Sequence, residues 1–514
     1  MRHLTVKHLL SAVIAWAVLL SCNEDKEPEV IYEFSVKTED SSIAAPAEGC
    51  EKTILVTSTK TAGSSTTNVA YEVVSSPEWA PAAVEQTALV IKVAENSSTE
   101  AREAGSVVIR QAESGNELTI SVSQIGYEYS MTLADSYTTP RCKVLGIVPE
   151  IKGFDRNPVY RWTVKGPDET EAADAGDGNS LNFIKLETGE YSVTFTVSDD
   201  SGISRSASAK VTVETEKEAY SPFLSEVIDL APAPYSSVGI TNPYGMTDTK
   251  KTAMEKAKEK LNKDFSTGNT GISLGPLGGY IVFKFDHTVM NVEGLRDFRI
   301  GSYASATAYP APGIVYVAFD ANRNGEPDED EWFELAGSEY SKTSTLRGLT
   351  VTYNRPETII TSVSMGKEVA DYISYTINGA PGALSSGSMP NVIPVWPFWL
   401  RENEEGKAIT FTGVSQLPSN TPMNGMFPGA TQWYDYGYVS NSNPTDETGS
   451  SFDINWAVDK SGKPVHLPGV DFIKVQTATM MDAGGWYGAL KASLNCAIDL
   501  HLAGKRIETV ERND

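Results

Sequence analysis

The chain has 514 residues, with 42 Lys and Arg against 67 Asp and Glu, a formal net charge of −25 at pH 7. So acidic a polypeptide repels phosphate backbones and anionic headgroups, which excludes nucleic acid and a charged bilayer surface as partners. Its length implies several domains, and past the N-terminal apolar run no stretch is apolar enough for a membrane-spanning helix.

The first predicted element is an export signal. Arg2, His3 and Lys7 form a basic start, and Leu9 to Leu20 is apolar apart from Ser11. A run of about a dozen residues is too short to cross a bilayer and suits a signal-peptide core. It closes on Leu19-Leu20-Ser21-Cys22, which resembles the lipobox of bacterial lipoproteins. The resemblance implies that residues 1–21 are removed and that Cys22 carries the lipid, the sole membrane attachment. Acyl chains contribute about 0.8 kcal/mol per buried methylene, enough in a multiply acylated cysteine for a stable anchor. Residues 22–29 read as an acidic tether, and Asn23-Glu24-Asp25-Lys26-Glu27 is similar to the export tag of Bacteroidetes lipoproteins, which implies the outward face of the outer membrane. Loss of Arg2 and Lys7 leaves 40 basic against 67 acidic residues, or −27.

Residues 30–127 alternate in short runs, Thr53 to Thr57, Leu89 to Val93 and Leu118 to Gln124, separated by polar loops, which predicts a β-sandwich. Trp79, the Glu95-Asn96 turn, Arg102, Gly105 to Ile109 and Ile120 to Gln124 resemble the BACON domain, an immunoglobulin-like module. That family's name implies carbohydrate binding, but a spacer is the better expectation, with Trp79 in the core. Residues 128–216 predict a second sandwich. Tyr160 to Val164 carries a tryptophan, Trp162, expected between the sheets, and Gly189 to Asp199 is a turn followed by a long alternating strand. The Gly189-x-Tyr191-x-Val193-x-Phe195-x-Val197-x-Asp199 pattern resembles a PKD domain, again read as a spacer. Besides Cys22, the cysteines are Cys50, Cys142 and Cys496, one in each segment. No disulfide framework is expected of them, and they read as small buried residues.

Residues 217–514 should hold the function. Ala253 to Leu261 has high helix propensity, whereas Tyr280 to Phe285, Gly313 to Phe319, Leu349 to Tyr353, Ala408 to Phe411 and Phe472 to Gln476 read as strands. The predicted fold class is therefore mainly β: two immunoglobulin-like sandwiches, then a larger β-rich, sandwich-like C-terminal domain with one or few helices. Strings such as Asp297-Phe298-Arg299-Ile300, Trp332 to Ser338 and Asp471 to Thr477 are similar to a family of uncharacterised PKD-associated surface proteins, from which no activity carries over.

One constellation carries chemistry. Asp320-x-Asn322-x-Asn324-Gly325, with Glu331 after five more residues, satisfies the calcium-loop pattern. A hard cation takes six to eight oxygens, and alternate positions of a tight loop converge on one point. Asp320, Asn322, Asn324, the Glu326 carbonyl, Asp328 and Glu331 are the expected ligands of a structural calcium, in a strand-flanked loop rather than between helices. Aromatic clusters at Trp396, Trp399, Trp433, Tyr434 and Tyr436 sit in Pro- and Gly-bearing stretches. They are candidate stacking platforms for a sugar or flat cofactor, against the plainer reading that they fill the interior. His287, His466 and His501 lack zinc spacing, no nucleophile elbow or phosphate loop is present, and an enzyme is not expected, with a glycoside hydrolase built on the abundant carboxylate pairs as the alternative. The expected function is capture of an extracellular nutrient, a complex glycan first, for delivery to a TonB-dependent transporter. A corrinoid or other small cofactor, or a purely adhesive role, is the alternative.

Overall fold

Alternating runs become strands throughout, and the protein is mainly β, with one α-helix among the described residues. The computed structural model describes residues 29–236, 242–245, 247–263, 271–302, 310–360, 364–367, 369–386, 394–400, 404–418, 423–424, 427–428, 433–482 and 488–512. Cys22 and the acidic tether before residue 29 lie outside them. Two units separate: 29–132 with 150–160 and 196–206, and 133–149 with 161–195 and 207–512.

In the first unit one sheet runs Val30–Val36, Cys50–Ala62, Ala88–Val93, Ala82–Glu85 in order, and its partner Ser42–Ala45, Glu117–Gln124, Arg102–Gln111, Tyr71–Ser75. Successive side chains of a strand point to opposite faces, so Ile54, Leu89, Ile91, Val107, Ile109, Ile120 and Val122 meet between the sheets with no exposure. Trp79 packs against this core, and the Arg102 guanidinium lies 5.3 Å from its ring centre. The tryptophan is thus a structural residue here.

The long predicted strand is Gly189–Ser198, whose residues 189–195 fall in the second unit, and its sheet neighbours are Ser204–Glu214 and Val159–Lys165. Trp162 is fully buried, 4.5 Å from the Phe195 ring, and its indole N–H donates to the Gly178 carbonyl at 2.9 Å. Cys142 and Cys496 are buried thiols outside any disulfide, and burial pushes the Cys142 thiol up to about 12, which leaves it unreactive.

The rest of this unit is built on a seven-stranded sheet. Its path is Glu226–Ala231, Tyr280–Met290, Gly469–Thr477, Gly313–Ala318, Trp332–Leu335 and Ala457–Val458, with Tyr438–Val439 beside Gly313–Ala318. The pairings are antiparallel. Ile281, Phe283, Val315, Val317, Ile473 and Val475 face a core closed by the three-stranded sheet Ser451–Phe452, Phe298–Gly301, Cys496–Asp499 and by the helix. That helix runs Lys250–Leu261, three residues longer than predicted, because Thr249 caps it reciprocally with Thr252. Ala253, Ala257 and Leu261, four apart, form its buried stripe. A four-stranded sheet, Ala380–Leu384, Ile373–Ile377, Leu346–Asn354, Ala408–Gln416, holds a second core around Val351, Tyr353, Trp396 and Phe411.

Truncating Trp162 empties a site that cannot collapse and strands the Gly178 carbonyl. Trp162→Ala should cost about 3–5 kcal/mol, read from urea unfolding; a loss below about 1 kcal/mol would contradict the inter-sheet role.

Candidate functional site

The alternation that fills the core leaves a second row of side chains on the other face of the seven-stranded sheet. Register aligns Val282, Lys474, Tyr316 and Glu334 across four strands, and Lys284, Phe472, Ala318 and Trp332 in the adjacent row. Between these rows and residues 325–328 lies a cleft of about 610 Å³, walled by Asp229, Tyr280, Lys284, Trp332 and Lys474. The Lys474 ammonium sits 4.6 Å from the Tyr280 ring centre and 5.6 Å from that of Tyr316. Burial lowers its pKa, opposed by the Asp229 charge. Asp229 accepts from Lys250 at 2.6 Å and from the Tyr280 hydroxyl at 2.7 Å. Burial works against its ionisation, yet these two donors hold the carboxyl below its ordinary value.

The loop overhanging the cleft is the predicted calcium loop, and it joins strands Gly313–Ala318 and Trp332–Leu335 as expected. The Asp320 carboxylate accepts the N–H groups of Asn324 at 3.0 Å and Gly325 at 2.8 Å. Asn322 Oδ1 and Asn324 Oδ1 accept from the backbone two residues on, at 2.9 and 2.7 Å. Their amide nitrogens donate to Asp328 Oδ2 at 2.6 and 2.9 Å. Glu331, nearly buried, takes the N–H groups of Ala321 and Asp328 at 3.0 and 3.1 Å. The turn needs φ of +61° at Arg323 and +82° at Gly325, and glycine meets the second without strain. The loop thus gathers Asp320, Asn322, Asn324, Asp328 and Glu331, while Glu326 stands exposed at the cleft rim. The donor set is hard oxygen throughout, as calcium requires. No three acidic, histidine or cysteine side chains converge as a metal cluster among the described residues; two of the would-be ligands here are amides. Asp471 anchors the loop from below, accepting the Asp320 N–H at 2.8 Å and the Thr288 hydroxyl at 2.6 Å, and burial pushes its carboxyl up.

On the other side of Lys284 and Gly325 a second cleft of about 600 Å³ reaches Lys143, Tyr220, Asp286 and Arg323. Its floor is His287, whose side chain is fully buried. Nδ1 lies 2.7 Å from Asp286 Oδ1, Nε2 2.9 Å from Asp499 Oδ2, and the ring stacks on Tyr220 at 5.1 Å. Burial pulls the imidazole pKa down, but Asp499 and then Asp286 more than offset it, and the net shift is upward from 6.5.

The predicted aromatics do not assemble into a platform. Trp396 has no exposed surface and belongs to the core of the four-stranded sheet, and Tyr436, 5% exposed, packs on Trp456 at 5.0 Å. These two positions are corrected from ligand stacking to core: their Pro- and Gly-bearing segments fold inward, and both ring faces are covered. Trp399 is partly buried against the main core, edge-on to Tyr244. Tyr434 is half-buried, its hydroxyl donating to the Pro418 carbonyl and its backbone paired with Asn441. Trp433 alone of the five is open, at 39% exposure. Tyr280, Trp332 and Lys474 were the residues missed. Their signal was the outward phase of the strands: Lys474 alternates with Ile473 and Val475, and Trp332 opens the strand directly after the loop.

No protein-family model matches the chain, and no curated protein does. Among solved structures it is similar in part to a Bacteroides ovatus GH5 xyloglucanase in complex with a XXXG heptasaccharide, 20% identical over 21% of this chain and 22% of that one, TM-score 0.15. The chain thus spans about a fifth of that enzyme's length. A protein from Bacteroides vulgatus is 26% identical over 20% of this chain and 92% of its own, TM-score 0.16. Fibronectin(III)-like modules of Clostridium thermocellum CbhA are 13% identical over 36% and 98%, TM-score 0.15. These likenesses carry no argument about activity.

A histidine whose pKa is raised on folding contributes stability fully below its unfolded value and loses it as pH climbs through the folded one. His287→Asn should therefore cost on the order of 3 kcal/mol near pH 6 and less toward pH 9. Denaturant titrations of both proteins across that range check it; a pH-independent difference would mean that the imidazole is not doubly protonated.

Proposed function

We propose that this chain is a surface lipoprotein, anchored outward through Cys22, that binds an extracellular complex glycan for delivery to a TonB-dependent outer-membrane transporter. The observation that carries the reading is the cleft on the outer sheet face, where Tyr280 and Trp332 stand beside Asp229, Lys284 and Lys474. Aromatic rings cover the C–H faces of a pyranose while charged and polar neighbours bond its hydroxyls, and about 610 Å³ suits a short oligosaccharide. The role is binding, not catalysis, and the two N-terminal sandwiches act as spacers between anchor and cleft.

In the same reading the loop 320–331 holds a structural calcium. Asp320, Asn322, Asn324, Asp328, Glu331 and the Glu326 carbonyl would supply its oxygens, and the ion would fix the overhanging wall of the cleft.

Two outcomes follow. On a glycan array, the full-length protein in detergent should retain a glycan and no cobalamin, and Trp332→Ala should weaken that binding at least tenfold, about 1.4 kcal/mol. Retention of cobalamin alone would replace the glycan reading with cofactor capture. Calcium at about a hundred times its Kd should stabilise the protein by about 2.7 kcal/mol, seen as a rise in Tm that Asp320→Ala abolishes. A Tm indifferent to calcium and chelator would remove the ion from the loop.

A further inference from the structure

We infer that the outer-face cleft takes a pyranose bearing a carboxylate, with Lys474 reading its charge. This rests on the glycan reading above and narrows it to acidic glycans.

The hydrogen-bond pairing of the cleft carries the inference. Its acids are largely engaged by the protein itself. Glu226 pairs with Lys284 at 3.3 Å. Asp229 accepts from Lys250, Tyr280 and the Leu230 N–H. Asp328 accepts the two loop amides. Lys474 differs. Its position on the sheet is one that Val282, its register partner, fills with an aliphatic side chain. It instead presents a largely buried ammonium between two tyrosine rings, and no carboxylate lies within 4 Å of it among the described residues. Three N–H donors on a desolvated cation call for an acceptor, and an anionic oxygen forms the strongest such bond. Tyr280 and Trp332 flank the same space and suit the ring that would carry the group. Glu326, exposed at the rim, is the one opposing charge without an internal partner among the described residues.

Calorimetry on the full-length protein in detergent tests this with oligogalacturonate, alginate and chondroitin fragments, each beside its counterpart with carboxylates reduced to alcohols. At least one acidic fragment should bind, carboxyl reduction and Lys474→Met should each weaken it at least tenfold, and Glu326→Gln should tighten it. Equal affinity for the reduced sugar, or Lys474→Met binding like wild type, overturns the assignment. If that variant fails to fold, the comparison of native and reduced sugar on the wild-type protein decides. Binding of neutral glycans alone overturns the acidic preference and leaves the glycan reading standing, whereas no binding to any glycan removes both.

Discussion

The C-terminal half depends on the sidedness of a single strand. Gly469–Thr477 pairs with Tyr280–Met290 on one edge and Gly313–Ala318 on the other, so its phase sets that of the sheet. With Ile473 and Val475 turned inward, Phe472, Lys474 and Gln476 must turn outward, and their neighbours follow in register. One residue of slip would bury Lys474 in the main core and expose two β-branched side chains. The core and the cleft are the two faces of one alternation, so the strand-borne residues that wall the cleft inherit the rigidity of the sheet.

A second constraint is ionic. Asp297, with no exposed surface, accepts the N–H groups of Val292 and Ile454 and faces His501 Nε2 at 2.9 Å. Burial pushes its carboxyl up to about 6, against those donors. Asp499 likewise takes the Leu502 N–H and faces His287. Buried pairs of this kind add little net stability over apolar residues of the same shape, but removing one partner strands the other. They select one packing of the chain's last strand against segments 287–297 and 452–454.

Strand positions were legible wherever alternation was long. Tyr280, Gly313, Leu349, Ala408 and Phe472 each fall within a strand that extends the predicted run at one end or both, Gly313 excepted, whose strand stops one residue early. The loop 320–331 was legible as a tight turn between strands, because its Asp, Asn and Gly spacing sets its own local hydrogen bonds. The aromatic clusters were not, because Pro- and Gly-bearing segments have no period from which to read inside from outside, and Trp396 could be assigned only once its sheet was known. Lys474 was readable as outward-facing but not as a member of a cleft, since that depends on strands brought together from residues 226, 280 and 332. Gly146 was invisible: the Arg323 guanidinium occupies the space its Cβ would fill, an intimacy that no local pattern encodes.

The order of strands in the large sheet also governs when it can form. Its central strand, 469–477, is the last of the long ones to leave the ribosome, yet it separates 280–290 from 313–318 and must enter between them. Until it does, those strands expose unpaired edges and apolar faces. The N-terminal sandwich closes on contacts within about a hundred residues, so it can fold while the remainder is still being made. The C-terminal half must wait for nearly the whole chain, and its non-local pairing predisposes it to slow folding.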